Sequence, residues 1–256
     1  MTSTIDVTLG EVAASIALVA VAAAVSFWRR AELESDLGLA VLRSFLQLTA
    51  IGYVIQAIFD SDSLWLVAAL LAVMVGFGAF TARSRAKTVQ GAFGPLVLSL
   101  GVAAAATLGL VLALGVFEAE PRFVVPVGGM VIGNSMTAAA VSLNRLADEV
   151  RSSAGQIEAT LALGATSRQA AAGLVTRSLR SGMIPLIDST KTTGVVFFPG
   201  TMVGMLLAGA DPVDAVRLQL ILLWTLLGSV SLAAVLATSL CYRSFFTPAH
   251  QLRDLG

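Results

Sequence analysis

The sequence predicts an all-α fold: a polytopic bundle of about seven transmembrane helices with one cytoplasmic helix–turn–helix excursion. Hydrophobic residues make up 57% of the 256-residue chain and charged residues 12%, about half the ~25% charge of a soluble domain. Several apolar runs reach the ~20 residues needed to cross a bilayer. We therefore expect one transmembrane domain over residues 1–256, with the excursion at about residues 144–183.

Seven apolar runs are candidate spans. They are Leu9–Trp28, Leu37–Phe59, Leu64–Ala82, Phe93–Phe117, Phe123–Leu143, Ile184–Gly209 and Ala215–Tyr242. The first run contains Glu11 and no basic segment precedes it. Because a cleaved signal peptide begins with a basic segment, we expect none here.

The connections between these runs alternate in charge. One set contains Arg29, Arg30, Arg83, Arg85, Lys87, Arg145, Arg151, Arg168, Arg177, Arg180, Arg243 and Arg253. The other set contains Asp60, Asp62, Glu118, Glu120, Asp211 and Asp214, with Arg122 and Arg217 as the exceptions. Cytoplasmic loops of membrane proteins are enriched in Lys and Arg. We therefore expect a plasma (inner) membrane protein with its N-terminus outside and its C-terminus in the cytoplasm.

The excursion is the long segment between apolar runs that is not itself membrane-like. Its apolar residues recur at spacings of three and four, the helical period. The first helix should stop at Gly164, because glycine adopts the left-handed C-terminal conformation at low cost. Thr166 or Ser167 should then cap a second helix that runs through Arg180. Such an excursion is suited to docking a cytoplasmic partner.

Arg43 and Gln47 lie one helical turn apart within the second run. An arginine inside a membrane span marks a functional site by default. The alternative is that Arg43, near the cytoplasmic end of its span, extends to the lipid headgroups. Both interpretations are open from the sequence.

Two glycine-rich segments carry methionine. Gly129 and Gly133 form a GxxxG pair in the fifth run, and Gly200 and Gly204 form another in the sixth, after Pro199. A broken helix at membrane depth has to face protein or a water-filled cavity, so the two segments predict a translocation path; the alternative is ordinary small-residue packing. The candidate path residues are Arg43, Gln47, Met130, Gly133, Asn134, Met136, Pro199, Gly200, Met202 and Gly204, with Met205 beside them.

Several kinds of chemistry have no motif in this sequence. It contains no GxxxxGK[ST] phosphate loop, no GxSxG and no HExxH. The single cysteine, Cys241, and the single histidine, His250, exclude a disulfide framework and a His/Cys metal cluster within the membrane. The net charge of zero gives no indication of nucleic-acid binding. The sequence therefore predicts a transporter and not an enzyme.

The energy source distinguishes two kinds of transporter. A self-sufficient secondary transporter or channel would need its own coupling-ion site. No predicted span carries an acidic residue near its centre, which argues against proton coupling. The other kind is a permease driven by a separate ATPase.

Four motifs resemble a known family. EATLALGA resembles the coupling motif of ABC transporter permeases, with Thr160 in place of the second alanine. From about Leu37 to Phe246 the chain resembles the FetB-type permeases, which are iron-export ABC permeases related to plant aluminium-sensitivity membrane proteins. The motifs that carry this resemblance are RSFLQL at 43–48, GMVIGNSM at 129–136, EATLALGA at 158–165 and FPGTMVGMLLAGADP at 198–212.

The resemblance implies an ABC permease that pairs as a homodimer with a separate ATP-binding subunit. Glu158, Ala159, Gly164 and Ala165 would contact that subunit, which would hold the ATP; this chain would hold no cofactor. The implied cargo is a metal, with iron export as the first interpretation. The alternative is an anionic cargo such as a nucleotide sugar. Thr201 stands where the family has methionine, and the metal ligands are left unassigned.

Overall fold

A computed structural model describes residues 9–61 and 63–253. It is all-α, as predicted: among the described residues, nine α-helices and one 3-10 helix occur and no multi-residue strand does. The helices are α1 Leu9–Arg29, α2 Glu34–Ser61, α3 Leu64–Arg85, α4 Phe93–Ala113, α5 Pro121–Ser152, α6 Ala154–Ala162, α7 Ser167–Thr192, α8 Gly200–Leu207 and α9 Pro212–Cys241, followed by a 3-10 turn over Tyr242–Phe245. The predicted domain limits at residues 1 and 256, the placement of the N-terminus and the acidic Asp62 lie outside the described residues.

Six of these helices are long and apolar enough to cross a membrane, namely α1 to α5 and α9. They correspond to six of the seven predicted spans. Their ends lie within about four residues of the predicted ones, except that α5 continues past the predicted end at Leu143 to Ser152. The multi-pass helical bundle is therefore confirmed.

The predicted span Ile184–Gly209 is wrong in its bounds. The helix at this position, α7, begins at Ser167 and ends at Thr192, and a turn containing Gly194 (φ 84°) separates it from α8. Pro199 is the extended N-cap of α8 (φ −61°, ψ 146°). The 26 residues of α7 rise about 39 Å, enough to run the depth of the bundle. The charged side chains of α7 keep it below the apolarity of the other spans.

The core lies between α3, α4, α5, α7 and α9. Helix α5 contacts each of the other four, and α9 packs against α4, α5 and α7. The fully buried side chains include Leu96 and Leu100 of α4, Leu143 and Leu146 of α5, and Val230 of α9. Helices α1 and α2 are peripheral: in α2 only Ile58 is buried. A bilayer covers exposed apolar helix faces of this kind.

Among the glycines that allow close helix contacts in this core are Gly182 and Gly129. A Cβ at Gly182 of α7 would overlap Ser142 Oγ of α5 and lie 2.8 Å from the Ala138 carbonyl oxygen. A Cβ at Gly129 of α5 would lie 2.9 Å from the terminal methyl carbon of Met74 in α3. Of the predicted GxxxG pair, Gly129 makes such a close contact and Gly133 does not, because nothing lies within 4 Å of a Cβ position at Gly133.

Candidate functional site

The excursion consists of three helical pieces. Helix α5 continues to Ser152, and after an irregular residue at Ser153 (φ −109°, ψ 15°) the short α6 follows. The sequence predicted one continuous helix up to Gly164, and the break at Ser153 corrects that prediction. The second helix, predicted to run through Arg180, is α7 and continues to Thr192. The predicted stop at Gly164 is confirmed, with φ 89° at this residue.

A Schellman motif ends α6. The N–H of Gly164 donates to the carbonyl oxygen of Leu161 at 2.9 Å, and the N–H of Ala165 donates to that of Thr160 at 3.3 Å. These are the two hydrogen bonds that a left-handed glycine makes possible at a helix C-terminus. Gly164 and Ala165 therefore set the direction in which the chain leaves α6.

A capping box begins α7 on the other side of this turn. The N–H of Gln169 donates to Thr166 Oγ1 at 3.3 Å, and the N–H of Thr166 donates to Gln169 Oε1 at 2.8 Å. The sequence left the N-cap open between Thr166 and Ser167, and the structure places it at Thr166. Helix-ending and helix-starting motifs thus border a turn of only four residues, 163–166, which is called the α6–α7 turn below.

The α6–α7 turn projects an apolar side chain. Leu163 is 90% exposed, whereas Ile157 of α6 is 2% exposed and anchors the helix to the core. Glu158, Ala159 and Gly164 are also exposed, and Ala165 is half-buried. Leu163 was not among the residues predicted to contact a partner. Its signal was present, because Leu163 falls off the stripe of Ile157 and Leu161 and directly precedes the helix-ending glycine.

An ion cluster joins the base of the excursion to the bundle. The Glu149 carboxylate in α5 is held by Arg177 of α7, whose Nε lies 2.9 Å from Oε2, and by Arg145, whose Nη2 lies 2.8 Å from Oε1. Glu149 is itself buried. A buried carboxylate is stable only when it is paired in this manner. Glu149 was not among the predicted functional residues, because its pairing with α7 is a tertiary contact that the sequence does not reveal.

Arg43 and Gln47 are both exposed on α2. The guanidinium carbon of Arg43 lies 5.8 Å from the centre of the Phe77 ring in α3. Phe77 is itself exposed. The structure thus places Arg43 against an exposed side chain of α3.

The path residues of α5 divide between two environments. Met130 and Met136 are half-buried and pack against the core. Gly133 has open space where a Cβ would lie, and Asn134 is exposed, with Nδ2 donating to the Met130 carbonyl oxygen at 2.8 Å. Thr137, also exposed, donates to the Gly133 carbonyl oxygen at 3.1 Å. One face of α5 is therefore polar and uncovered in this chain.

The path residues of α8 divide in the same way. Met202 is buried and Met205 is half-buried, whereas Gly200 and Gly204 have nothing within 4 Å of a Cβ position. Helix α8 packs against α9. The second GxxxG pair thus contacts no other helix of the described chain. Among the described residues, no three His, Cys, Asp or Glu side chains group closely enough to hold a metal ion.

The fold and the apolar helices define the class of this protein as a multi-pass helical membrane protein. The family model described as "Uncharacterised protein family (UPF0014)" matches residues 9–246. The chain belongs to this family, and the resemblance inferred from its motifs is confirmed.

Three relatives illustrate the family. The chain is 41% identical over 242 residues to "UPF0014 membrane protein STAR2" of Oryza sativa subsp. japonica, covering 94% of this chain and 85% of the relative. It is 38% identical over 242 residues to "Protein ALUMINUM SENSITIVE 3" of Arabidopsis thaliana, covering 94% and 88%. It is 36% identical over 247 residues to "Probable iron export permease protein FetB" of Escherichia coli strain K12, covering 96% and 95%. No solved structure matches the chain.

Proposed function

We propose that this chain is the membrane-spanning permease subunit of an ABC transporter, driven by a separate ATP-binding subunit that docks on the α6–α7 turn. The observation that carries the proposal is the geometry of that turn. A short anchored helix and two capping motifs hold Leu163 at 90% exposure. A rigid turn with one projecting apolar side chain is suited to insertion into a groove on a partner.

Docking at this turn would act on the membrane helices through two connections. Ile157 is buried in the core cluster that includes residues of α5 and α7. Glu149 links α5 to Arg177 of α7 by the ion pair at 2.9 Å. A displacement of the α6–α7 turn by the ATPase subunit would therefore move the cytoplasmic ends of α5 and α7 together.

The uncovered faces of α5 and α8 support a homodimer that encloses the path. Asn134 and Thr137 are exposed polar side chains in a helix that is otherwise apolar enough to span the bilayer. Polar groups at membrane depth face protein or water and not lipid. In the proposed dimer this face of α5, with Gly200 and Gly204 of α8, borders a central path.

We propose metal export, with iron as the first candidate cargo, in the plasma membrane. The printed name of the FetB relative includes iron export. The thioethers of the half-buried Met130 and Met136 are weak, soft ligands, which suits transient contact with a moving ion. The proposed orientation has the N-terminus outside and the α6–α7 turn in the cytoplasm, in agreement with the distribution of arginine.

An anionic cargo is the second candidate. It is supported by Arg43, which lies over Phe77 and has no carboxylate partner among the described residues. A guanidinium group that faced the path would attract a metal–organic-acid chelate or a nucleotide sugar. Arg43 would attract an anionic cargo and repel a free metal cation.

The test is reconstitution of the permease with and without a phosphate-loop ATPase encoded beside it. We expect ATP-dependent export of metal only when both subunits are present, and co-purification of the two through an affinity tag on one. Substrate movement by the permease alone in ATP-free liposomes would contradict the proposal and support a secondary transporter or channel.

A further inference from the structure

The C-terminal segment 246–253 folds back on itself as a small hairpin, called the tail hairpin below. Phe246 and Leu252 form an antiparallel bridge. The N–H of Thr247 donates to the Gln251 carbonyl oxygen at 2.8 Å, and the N–H of Arg253 donates to the Phe245 carbonyl oxygen at 2.8 Å. The Nε of Arg253 donates to the carbonyl oxygen of Phe246 at 3.1 Å. This segment therefore has a defined conformation.

The tail hairpin is attached to the start of α7. His250 Nδ1 accepts a hydrogen bond from the N–H of Ser167 at 3.3 Å and lies 2.8 Å from Ser167 Oγ. Phe246 is buried, and its ring meets that of Tyr242 edge-on at 6.5 Å. Residues more than eighty positions apart thus close on the helix that follows the α6–α7 turn.

A cleft of about 450 Å³ lies between the tail hairpin, the end of α9 and the start of α7. Arg168, Arg243 and Arg253 line it from these three elements. The hydroxyl-bearing residues Ser167, Tyr242 and Thr247 also line it. Within residues 9–61 and 63–253, none of the three arginines forms a salt bridge with a carboxylate, whereas Arg145, Arg177 and Arg217 do.

Three guanidinium groups around one cleft repel one another, and an anion bound between them would offset this repulsion. We propose that this cleft binds a phosphate-bearing anion. Phosphate fits the donor set, because each planar guanidinium can give two parallel N–H bonds to phosphate oxygens and the hydroxyl groups can supply more. The proposal does not rest on the N-terminus of α7, since His250 and Thr166 already accept from N–H groups there.

The phosphate group could belong to a phospholipid or to a soluble molecule. The cleft adjoins the last turn of α9, a helix apolar enough to span the bilayer, so a lipid headgroup can reach it. It is also open to the solvent, so inorganic phosphate can enter. In either case the bound anion would join α9 to the start of α7, beside the α6–α7 turn. This inference does not depend on the proposed transport function.

The test uses the full chain purified in neutral detergent. In one arm, inorganic phosphate is titrated against chloride at constant ionic strength while thermal unfolding is followed. In the other, the protein is placed in mixed micelles of phosphatidylglycerol and phosphatidylcholine, and retained lipids are counted by native mass spectrometry. We expect either a phosphate-dependent rise in the unfolding midpoint or selective retention of phosphatidylglycerol. The responding arm identifies the source, and no response in both would overturn the proposal.

A pair of matched double variants locates the site. Arg168→Gln with Arg243→Gln removes two of the cleft's guanidinium groups and no described side-chain hydrogen bond. We expect binding to weaken about tenfold, since each exposed charge contact contributes up to ~1 kcal/mol. Arg85→Gln with Arg180→Gln removes the same charge elsewhere and should leave binding unchanged.

An equal loss in both double variants would mean a general charge effect and would overturn the proposal. If the Arg168/Arg243 variant does not fold, Arg243→Lys serves the same comparison, because it keeps the charge and removes the planar fork. Weaker binding by Arg243→Lys is then expected, and native-like binding by this variant would also overturn the site.

Discussion

Arg177 Nε lies 2.9 Å from Glu149 Oε2, and this contact joins α7 to the part of α5 that continues toward the α6–α7 turn. Arg145, one turn before Glu149, holds the other carboxylate oxygen at 2.8 Å. Glu149 is buried and each of the two arginines is more than half exposed, so the carboxylate is the member that depends on this pairing. The cluster is therefore a fixed joint between the excursion and the bundle.

Glu149→Gln is expected to lower the unfolding midpoint, because the neutral amide at this buried position no longer accepts charge-assisted hydrogen bonds from both Arg145 and Arg177. Thermal unfolding in detergent measures the change. Asp214→Asn is the matched control, since the Asp214–Arg217 pair is exposed at both ends and exposed pairs contribute little. A Glu149→Gln midpoint equal to that of the control would show that the joint does not stabilise the fold.

Gly182→Ala is expected to destabilise the protein by about 1–3 kcal/mol, as overpacking in a tight core does. The added Cβ would overlap Ser142 Oγ and approach the Ala138 carbonyl oxygen of α5 at 2.8 Å. Gly109→Ala in α4 is the control, because nothing lies within 4 Å of its Cβ position. Equal denaturation midpoints for the two variants would contradict the close contact of α5 with α7.

Gly164→Val is expected to reduce co-purification of the ATPase subunit while the permease still inserts. The φ of 89° at Gly164 is left-handed, and a β-branched residue tolerates it poorly, at a cost of about 1–2 kcal/mol. Gly155→Ala, in α6 with open space around its Cβ position, controls for substitution in the excursion. Native-like complex formation by Gly164→Val would reject the docking assignment.

Leu163→Ser is expected to weaken ATPase binding without lowering the stability of the permease alone. Leu163 is 90% exposed, so the isolated chain loses almost no buried apolar area, whereas an apolar interface contact of about 1–2 kcal/mol disappears on docking. Affinity of the purified subunits, measured by surface-immobilised binding, reports the change. Leu114→Ser, at the end of α4 and 69% exposed, should bind as the native chain does; identical behaviour of both variants would disprove the contact.

Arg43→Gln separates the two cargo classes. If the cargo is anionic, the variant should lose most of the ATPase stimulation caused by citrate chelates or nucleotide sugars in the reconstituted complex. If the cargo is a free metal ion, stimulation by metal alone should be unchanged. A native-like response of Arg43→Gln to every anionic ligand would exclude an anionic cargo bound through this residue.

Local sequence patterns predicted much of the fold correctly. The starts of α3 at Leu64 and α4 at Phe93 coincide with the predicted spans. Asp211 accepts from the N–H groups of Val213 and Asp214, and α9 begins at Pro212, three residues before the predicted start at Ala215. These features depend on residues a few positions apart, so the sequence reveals them directly.

The extent of α7 was mispredicted for a tertiary reason. Helix α7 runs from Ser167 to Thr192 although it contains Arg177, Arg180 and Asp188. Its composition did not indicate a helix of bundle length, because packing against α5 and α9 compensates for poor apolarity. The break at Ser153 has no glycine or proline at the break itself, and Gly155 lies within α6. Hydropathy is computed from one segment alone, whereas the length of α7 depends on the helices that pack against it.

The sequence by itself determined that the protein is an all-α multi-pass membrane protein, where most of its helices lie and that the excursion turns at Gly164. Hydrophobicity, helical period and glycine's access to positive φ are local properties, and they carry that information. Only the tertiary structure decided that Glu149 joins α5 to α7, that Leu163 projects from the turn and that Arg168, Arg243 and Arg253 share one cleft. Each of these facts needs residues that are distant along the chain to come together, and burial and charge pairing take effect only when they do.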